Sequence, residues 1–159
     1  MTYANPNRAP SGRSQSQQPS AIDNVIAEIR KLGSMSALQP QTFAEEGGYA
    51  DKVAQDSKDK LKPTQLRKVF TEVKQIRRKL ERECRTEADW SQPFDRTDLL
   101  RLMPVLAYSQ ARGLLPKEVY ELFKLIFSKE KLKTNRDFER TADFLEAVLA
   151  YHKYHNPKA

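Results

Sequence analysis

Four cations stand out by type and spacing before any fold is considered. Arg67, Lys74, Arg78 and Arg85 are separated by seven, four and seven residues. At 100° per residue they fall on one narrow line of a helix, with no acidic residue among them. Like charges repeated along a line repel one another, so a helix that only packs a core gains nothing from them. A row of phosphates matches them, and Arg at three of the four positions suits two-pronged contact with phosphate oxygens. Lys68, Lys79 and Arg82 lie further round. Glu72 is within i,i+4 reach of Lys68, and Glu81 and Glu83 blunt the far end. A second row, Lys117, Lys124 and Lys131, recurs every seven residues. Glu118 and Glu121 interrupt it, and alone it reads as a solvated face.

No constellation for catalysis accompanies these cations. His152 and His155 are spaced i,i+3, but no cysteine or carboxylate motif completes a metal-ligand set. His152 falls on the apolar side of its helix and is expected as a core or interface histidine. Cys84 lies between Arg82 and Arg85, cations that would favour its thiolate, yet nothing nearby reads as a base with an orienting partner. There is no Gly-rich phosphate loop and no base-stacking sheet signature. The expectation is a binding protein with no catalytic residue, no metal and no cofactor. It would hold its ligand by backbone charge and shape, with weak sequence preference and strong salt dependence.

These side chains need helices to present them. Pro63, tolerated in a first helical turn, opens a run in which Leu66, Val69, Phe70, Val73, Ile76 and Leu80 form one apolar stripe to about Arg85. Upstream, Ser20 offers an N-cap to Ile22, Val25, Ile26, Ile29 and Leu32, with Gly33 as a stop. Residues 34–47 read as a connection, and a shorter helix is expected from about 48 to 59. Residues 86–94 read as a loop. Asp95 or Thr97 would cap the next helix, whose residues 99–108 are apolar nearly all round and so are expected to be buried, with Pro104 kinking or splitting it. Gly113 ends it. Pro116 starts a helix running to 131, and Asn135 caps a last one reaching His155. No stretch alternates with period two. The fold class expected is all-α, a bundle of five or six helices.

Charge and composition narrow the function classes. The chain has 159 residues, 28 Lys and Arg against 21 Asp and Glu, and a formal charge of +7. Residues 61–85 alone hold 9 basic and 3 acidic side chains. That local excess is an electrostatic footprint for a polyanion. Residues 1–20, rich in Ser, Gln, Asn and Pro, have no pattern that could offset chain entropy by burial and are expected as a disordered tail ahead of a single domain at 21–159. One cysteine excludes an intrachain disulfide. No apolar run approaches the ~18 residues of a membrane helix. The opening MTYANPNRAP lacks the apolar segment of a signal peptide, so a cytoplasmic protein is expected.

Three stretches then read together: KPTQLRKVFTEVKQI (Lys62–Ile76), LMPVLAYSQARG (Leu102–Gly113) and DFERTADFLEAVLAYHKY (Asp137–Tyr154). In order and spacing, residues 48–155 resemble the small subunit of the type III-A CRISPR effector complex, the Csm family. That family carries Arg-Lys followed by two aromatics, where this chain has Arg67 and Lys68 followed by Val69 and Phe70. The resemblance implies a non-catalytic, all-helical subunit acting in antiviral defence. Several copies would stack beside the backbone subunits and line the channel that holds guide RNA and target RNA, while other subunits carry the nuclease and cyclase activities. The RNA-contact set expected on this basis is Lys62, Arg67, Lys68, Lys74, Arg78, Arg85, Arg112, Lys117, Lys124 and Lys131.

The last helix bears on assembly. Phe138, Ala142, Leu145, Val148, Leu149 and His152 form one face, and Phe144, Ala147, Tyr151 and His155 a second. Either this is the central helix or the second face meets another subunit, a neighbouring copy included. Phe144, Tyr151 and Tyr154 are the interface candidates, Tyr154 lying furthest toward solvent. Two other readings remain open. A helix-turn-helix DNA regulator would put Gly113 at the turn and the following helix in a groove, though that helix has no Asn, Gln or Arg to read base edges. A structural adaptor would offer the basic face to an acidic protein.

Overall fold

Ser20 accepts from the backbone N–H of Asp23, and the Asp23 carboxylate accepts from that of Ser20, a closed capping box that starts α1 (Ala21–Arg30). Its periodic residues Ile22, Val25, Ile26 and Ile29 are buried, as their spacing requires. The computed structural model describes residues 18–158. Of the expected tail, residues 1–17 lie outside the described residues. Ser20 itself belongs to the helix cap.

A 3-10 turn (Met35–Ala37) and a single helical turn α2 (Pro40–Phe43) follow, in the stretch expected as a connection. At Gly48 a Cβ would sit 2.8 Å from the Thr42 carbonyl oxygen and 2.9 Å from that of Glu45, so the chain can turn there only without a side chain. This turn leads into α3 (Tyr49–Ser57) and then the long basic helix α4 (Pro63–Glu83). The expected loop after it contains one capped turn, α5 (Glu87–Trp90), built on a Thr86–Asp89 capping box.

Pro104 splits the next helix as expected. Its ring nitrogen cannot donate to the carbonyl of Leu100, and the chain breaks there into α6 (Thr97–Leu100) and α7 (Leu102–Ala111). Burial differs from the expectation. Leu99, Leu102, Leu106 and Ser109 face inward, but Leu100, Pro104, Ala107 and Tyr108 are exposed, Tyr108 at 63%. All-round apolarity in this segment therefore reports one core face and one uncovered face. Gly113, at φ 74°, makes the turn into α8 (Lys117–Ile126). This helix stops five residues short of Lys131.

The last helix, α9 (Asn135–His155), is capped by Thr134 rather than by Asn135. Thr134 accepts from the N–H of Asp137, and the Asp137 carboxylate closes the box. Asp137 is buried and also accepts from the N–H of Ser36 at 2.8 Å and its hydroxyl at 2.5 Å. Burial alone would raise its pKa, but these hydrogen bonds hold the carboxyl below the ordinary aspartate value.

Nine α-helical segments occur among the described residues, with no strand, and six of them span nine residues or more. The chain is all-α. Helix α9 is the hub: α3 and α4 pack along it, and the 3-10 turn, α2 and α5 touch it. The first half and middle of its two apolar faces are packed from within the chain. Phe138, Ala142, Leu145 and Val148 meet one set of neighbours, and Phe144 meets Phe43 of α2. No helix among the described residues is long and apolar enough to cross a membrane.

Candidate nucleic-acid interface

Helix α4 is held by its two flanks. Leu66, Val69, Val73, Ile76 and Leu80 are buried. On the α9 side Arg77 reaches Asp143 at 3.1 Å and Glu146 at 3.3 Å, and its side chain is only 14% exposed. On the α7 side the Ser109 hydroxyl donates to Gln65 at 2.9 Å. With both flanks occupied, the remaining crest points outward. It carries Arg67, Lys74 and Arg78, all exposed and none in an ion pair with a described residue. The three span about 17 Å along the axis at 1.5 Å per residue.

Arg85 does not share that line. The helix ends at Glu83, and Cys84 takes an extended backbone at φ −92°, ψ 106°. Arg85 is exposed beyond this bend, so extrapolating helical spacing to it fails. Cys84 is buried, and burial, with Asp89 next, raises its pKa; the flanking arginines do not make it a thiolate.

The remaining expected contacts separate into groups. Lys68 is exposed at a shallow groove shared with Glu72, Arg101, Leu102 and Val105. Lys62 and Lys117, distant in sequence, border one depression together with Lys60 where the α3–α4 and α7–α8 connections meet. Arg112 is exposed and donates to the Tyr108 hydroxyl at 3.2 Å, its guanidinium 5.8 Å from the ring centroid. Lys124 is half-committed, 3.7 Å from Glu121 and 5.2 Å from the Tyr120 ring centre. Arg101 and Lys60 join these clusters without having been singled out in the sequence. The charge excess of residues 61–85 hid Lys60 one place outside it, and only the packing of α7 on α4 brings Arg101 beside Lys68.

Lys131 must be removed from the set. It is 5% exposed, and its ammonium donates to the carbonyls of Arg30, at 3.1 Å, and Leu32. These carbonyls end α1, and burial pushes the Lys131 pKa down. Its seven-residue spacing from Lys124 has no meaning once α8 has ended at Ile126.

The interface candidates divide in the same way. Phe144 is fully buried, in an edge-to-face contact with Phe43, so it is a core residue. Tyr151 is half-buried and donates to the Ala44 carbonyl at 2.7 Å, which ties it to the α2–α3 connection. Tyr154 is 66% exposed and stays available. The histidines serve the fold. His152 is buried with Nε2 3.1 Å from the Leu61 carbonyl, and burial lowers its pKa. His155 lies 2.5 Å from Asp51.

The assembled surface is therefore a basic crest on α4, extended at one flank by Lys68 and Arg101 and at one end by Lys60, Lys62 and Lys117. Residues 41–158 match the family model Csm2 Type III-A. No curated protein and no solved structure matches the chain. The match takes in α4, α7 and α9, the helices that carry the three motif stretches, and leaves α1 outside. This chain belongs to the Csm2 family, the small subunit of the type III-A CRISPR effector.

Proposed function

We propose that this chain is the cytoplasmic, non-catalytic RNA-binding subunit of its effector, contacting the phosphate backbone of guide and target RNA through the α4 crest without reading sequence. Copies of it stack beside the other subunits in antiviral defence. The observation that carries the reading is the row Arg67, Lys74 and Arg78, exposed over about 17 Å with no acidic partner among the described residues, on a helix whose apolar stripe is buried. Arg77, one residue from Arg78, pairs with Asp143 and Glu146 because it faces α9, which shows how differently a cation on this helix behaves when the fold uses it.

The DNA-regulator reading has weaker support. On α8 the charged residues are Lys117, Glu118, Glu121 and Lys124, and two of these four pair with each other. A surface of mixed sign at that helix is a poor match to a DNA groove.

The test compares the parent with R67A/K74A/R78A on unrelated single-stranded RNAs and on duplex DNA. The variant should weaken RNA binding equally for all sequences, and the log–log salt slope should fall by roughly 0.7 for each lost contact on single strands. Unchanged salt slopes would exclude phosphate contact by the crest, and stronger binding to duplex DNA would favour the regulator.

A further inference from the structure

A groove of about 320 Å³ opens between the first turns of α4 and the last turns of α9. Pro63, Phe70, Leu149 and Ala150 supply its apolar wall, and Arg67 lines it from the crest side. Arg67 thus belongs at once to the row of outward cations and to a concave apolar surface.

The other polar groups at the groove already have partners. Glu146 accepts from Arg77 at 3.3 Å. Lys153 donates to the Pro157 carbonyl at 3.1 Å. His152 is turned to the Leu61 carbonyl, and the Asn156 amide donates to the carbonyls of Lys58 and His152. A ligand meets an apolar wall containing one aromatic ring, with a guanidinium beside it that has no anionic partner among the described residues. A polar metabolite would find few free groups to orient it. An apolar peptide side chain would leave the guanidinium unanswered. A nucleotide offers both halves, a flat ring and, a few bonds away, an anion. At the low end of ligand-pocket volumes, the groove suits one heterocycle rather than a run of them.

We propose that this groove receives one unpaired nucleobase of an RNA strand whose phosphates lie along the α4 crest, with the base against Phe70 and its phosphate on Arg67. The proposal rests on the RNA-binding reading above and adds to it a contact that salt does not screen. Because every base has a π face, the contact tolerates any sequence but requires the base to be out of a duplex.

The experiment uses the full chain and two ribose–phosphate strands of equal length, one with bases and one abasic. The parent should bind the base-bearing strand about 5- to 150-fold more tightly, the range one stacked base supplies. A150W fills the groove from an exposed helical position. It should bring the base-bearing strand down to the abasic affinity while both strands keep the parental salt slope. F70L, which keeps bulk and removes the aromatic face, should move in the same direction and carries the test should A150W lose its helical signal. Equal affinity of the parent for the two strands overturns the groove assignment and leaves the crest reading intact. So does A150W binding RNA like the parent; if that variant also fails to join the other effector subunits, the groove is a protein contact instead. Failure of the parent to bind either strand overturns both readings.

Discussion

Phe43 presents its ring to Phe144 at a centroid distance of 5.6 Å and an interplanar angle of 85°, an edge-to-face contact between the short α2 turn and the middle of α9. Both rings are buried. This one pair shows how the middle of the second apolar face of α9 is covered: a connection that has no helical periodicity of its own folds back onto Phe144.

F43A should therefore be among the more damaging single changes, costing about 3–5 kcal/mol as for other buried Phe-to-Ala replacements. Urea unfolding of the variant would show it. If stability fell by less than about 1 kcal/mol, α2 would not be covering α9 as described.

K131M separates a structural lysine from the basic surface. The ammonium satisfies two carbonyls at the end of α1, and leaving them without a partner should lower stability by about 1–3 kcal/mol. RNA affinity and its salt slope should stay at parental values once both proteins are measured below their melting range. A slope reduced as in the crest variant would return Lys131 to the interface.

Tyr151 and Tyr154 should respond oppositely to a negative charge. Y151E loses the hydrogen bond to Ala44 and adds charge beside Glu45, Glu46 and Asp51, which already raise the Tyr151 pKa after burial. It should melt at a lower temperature than the parent. Y154E, at a mostly exposed position, should keep its helical circular dichroism and melting point. Any defect it shows should appear in self-association by ultracentrifugation or in co-assembly. A Y154E protein that melts early contradicts the exposure seen for this residue.

Acid should destabilise the fold in two steps. Burial holds the folded His152 pKa below its ordinary 6.5, so the unfolded chain takes up that proton first and stability declines as the pH drops below about 6.5. Asp137 and Asp51 have folded pKa values below the ordinary 3.8, so their contribution is present above that value and is lost as the pH falls through the lower folded ones. Melting temperature against pH should show both limbs. H152Q, which can still donate to the Leu61 carbonyl, should flatten the first. D137N should flatten part of the second and cost about 2 kcal/mol at neutral pH. A parental profile in H152Q would mean that His152 has the same pKa in the folded and unfolded chains and that the first limb comes from another group.

The features legible in the amino-acid order are local and periodic. The 3.6-residue rhythm of Leu66, Val69, Val73, Ile76 and Leu80 sets α4 and leaves Arg67, Lys74 and Arg78 on its outer side, and Ser20 and Pro63 mark helix starts to the residue. Pro104 splits its helix because the missing N–H is a property of the residue, whatever surrounds it. Tertiary structure decided what periodicity cannot encode, namely which of several outward or apolar faces another segment covers. Lys131 leaves the basic set because the end of α1 needs a donor, and Arg77 because α9 carries Asp143 and Glu146 opposite it. Phe144 becomes core, and Tyr108 stays exposed, according to where α2 and α8 happen to pack. A side chain's type and phase constrain its conformation, but its free energy depends on neighbours a hundred residues away, and those contacts exist only once the chain has folded.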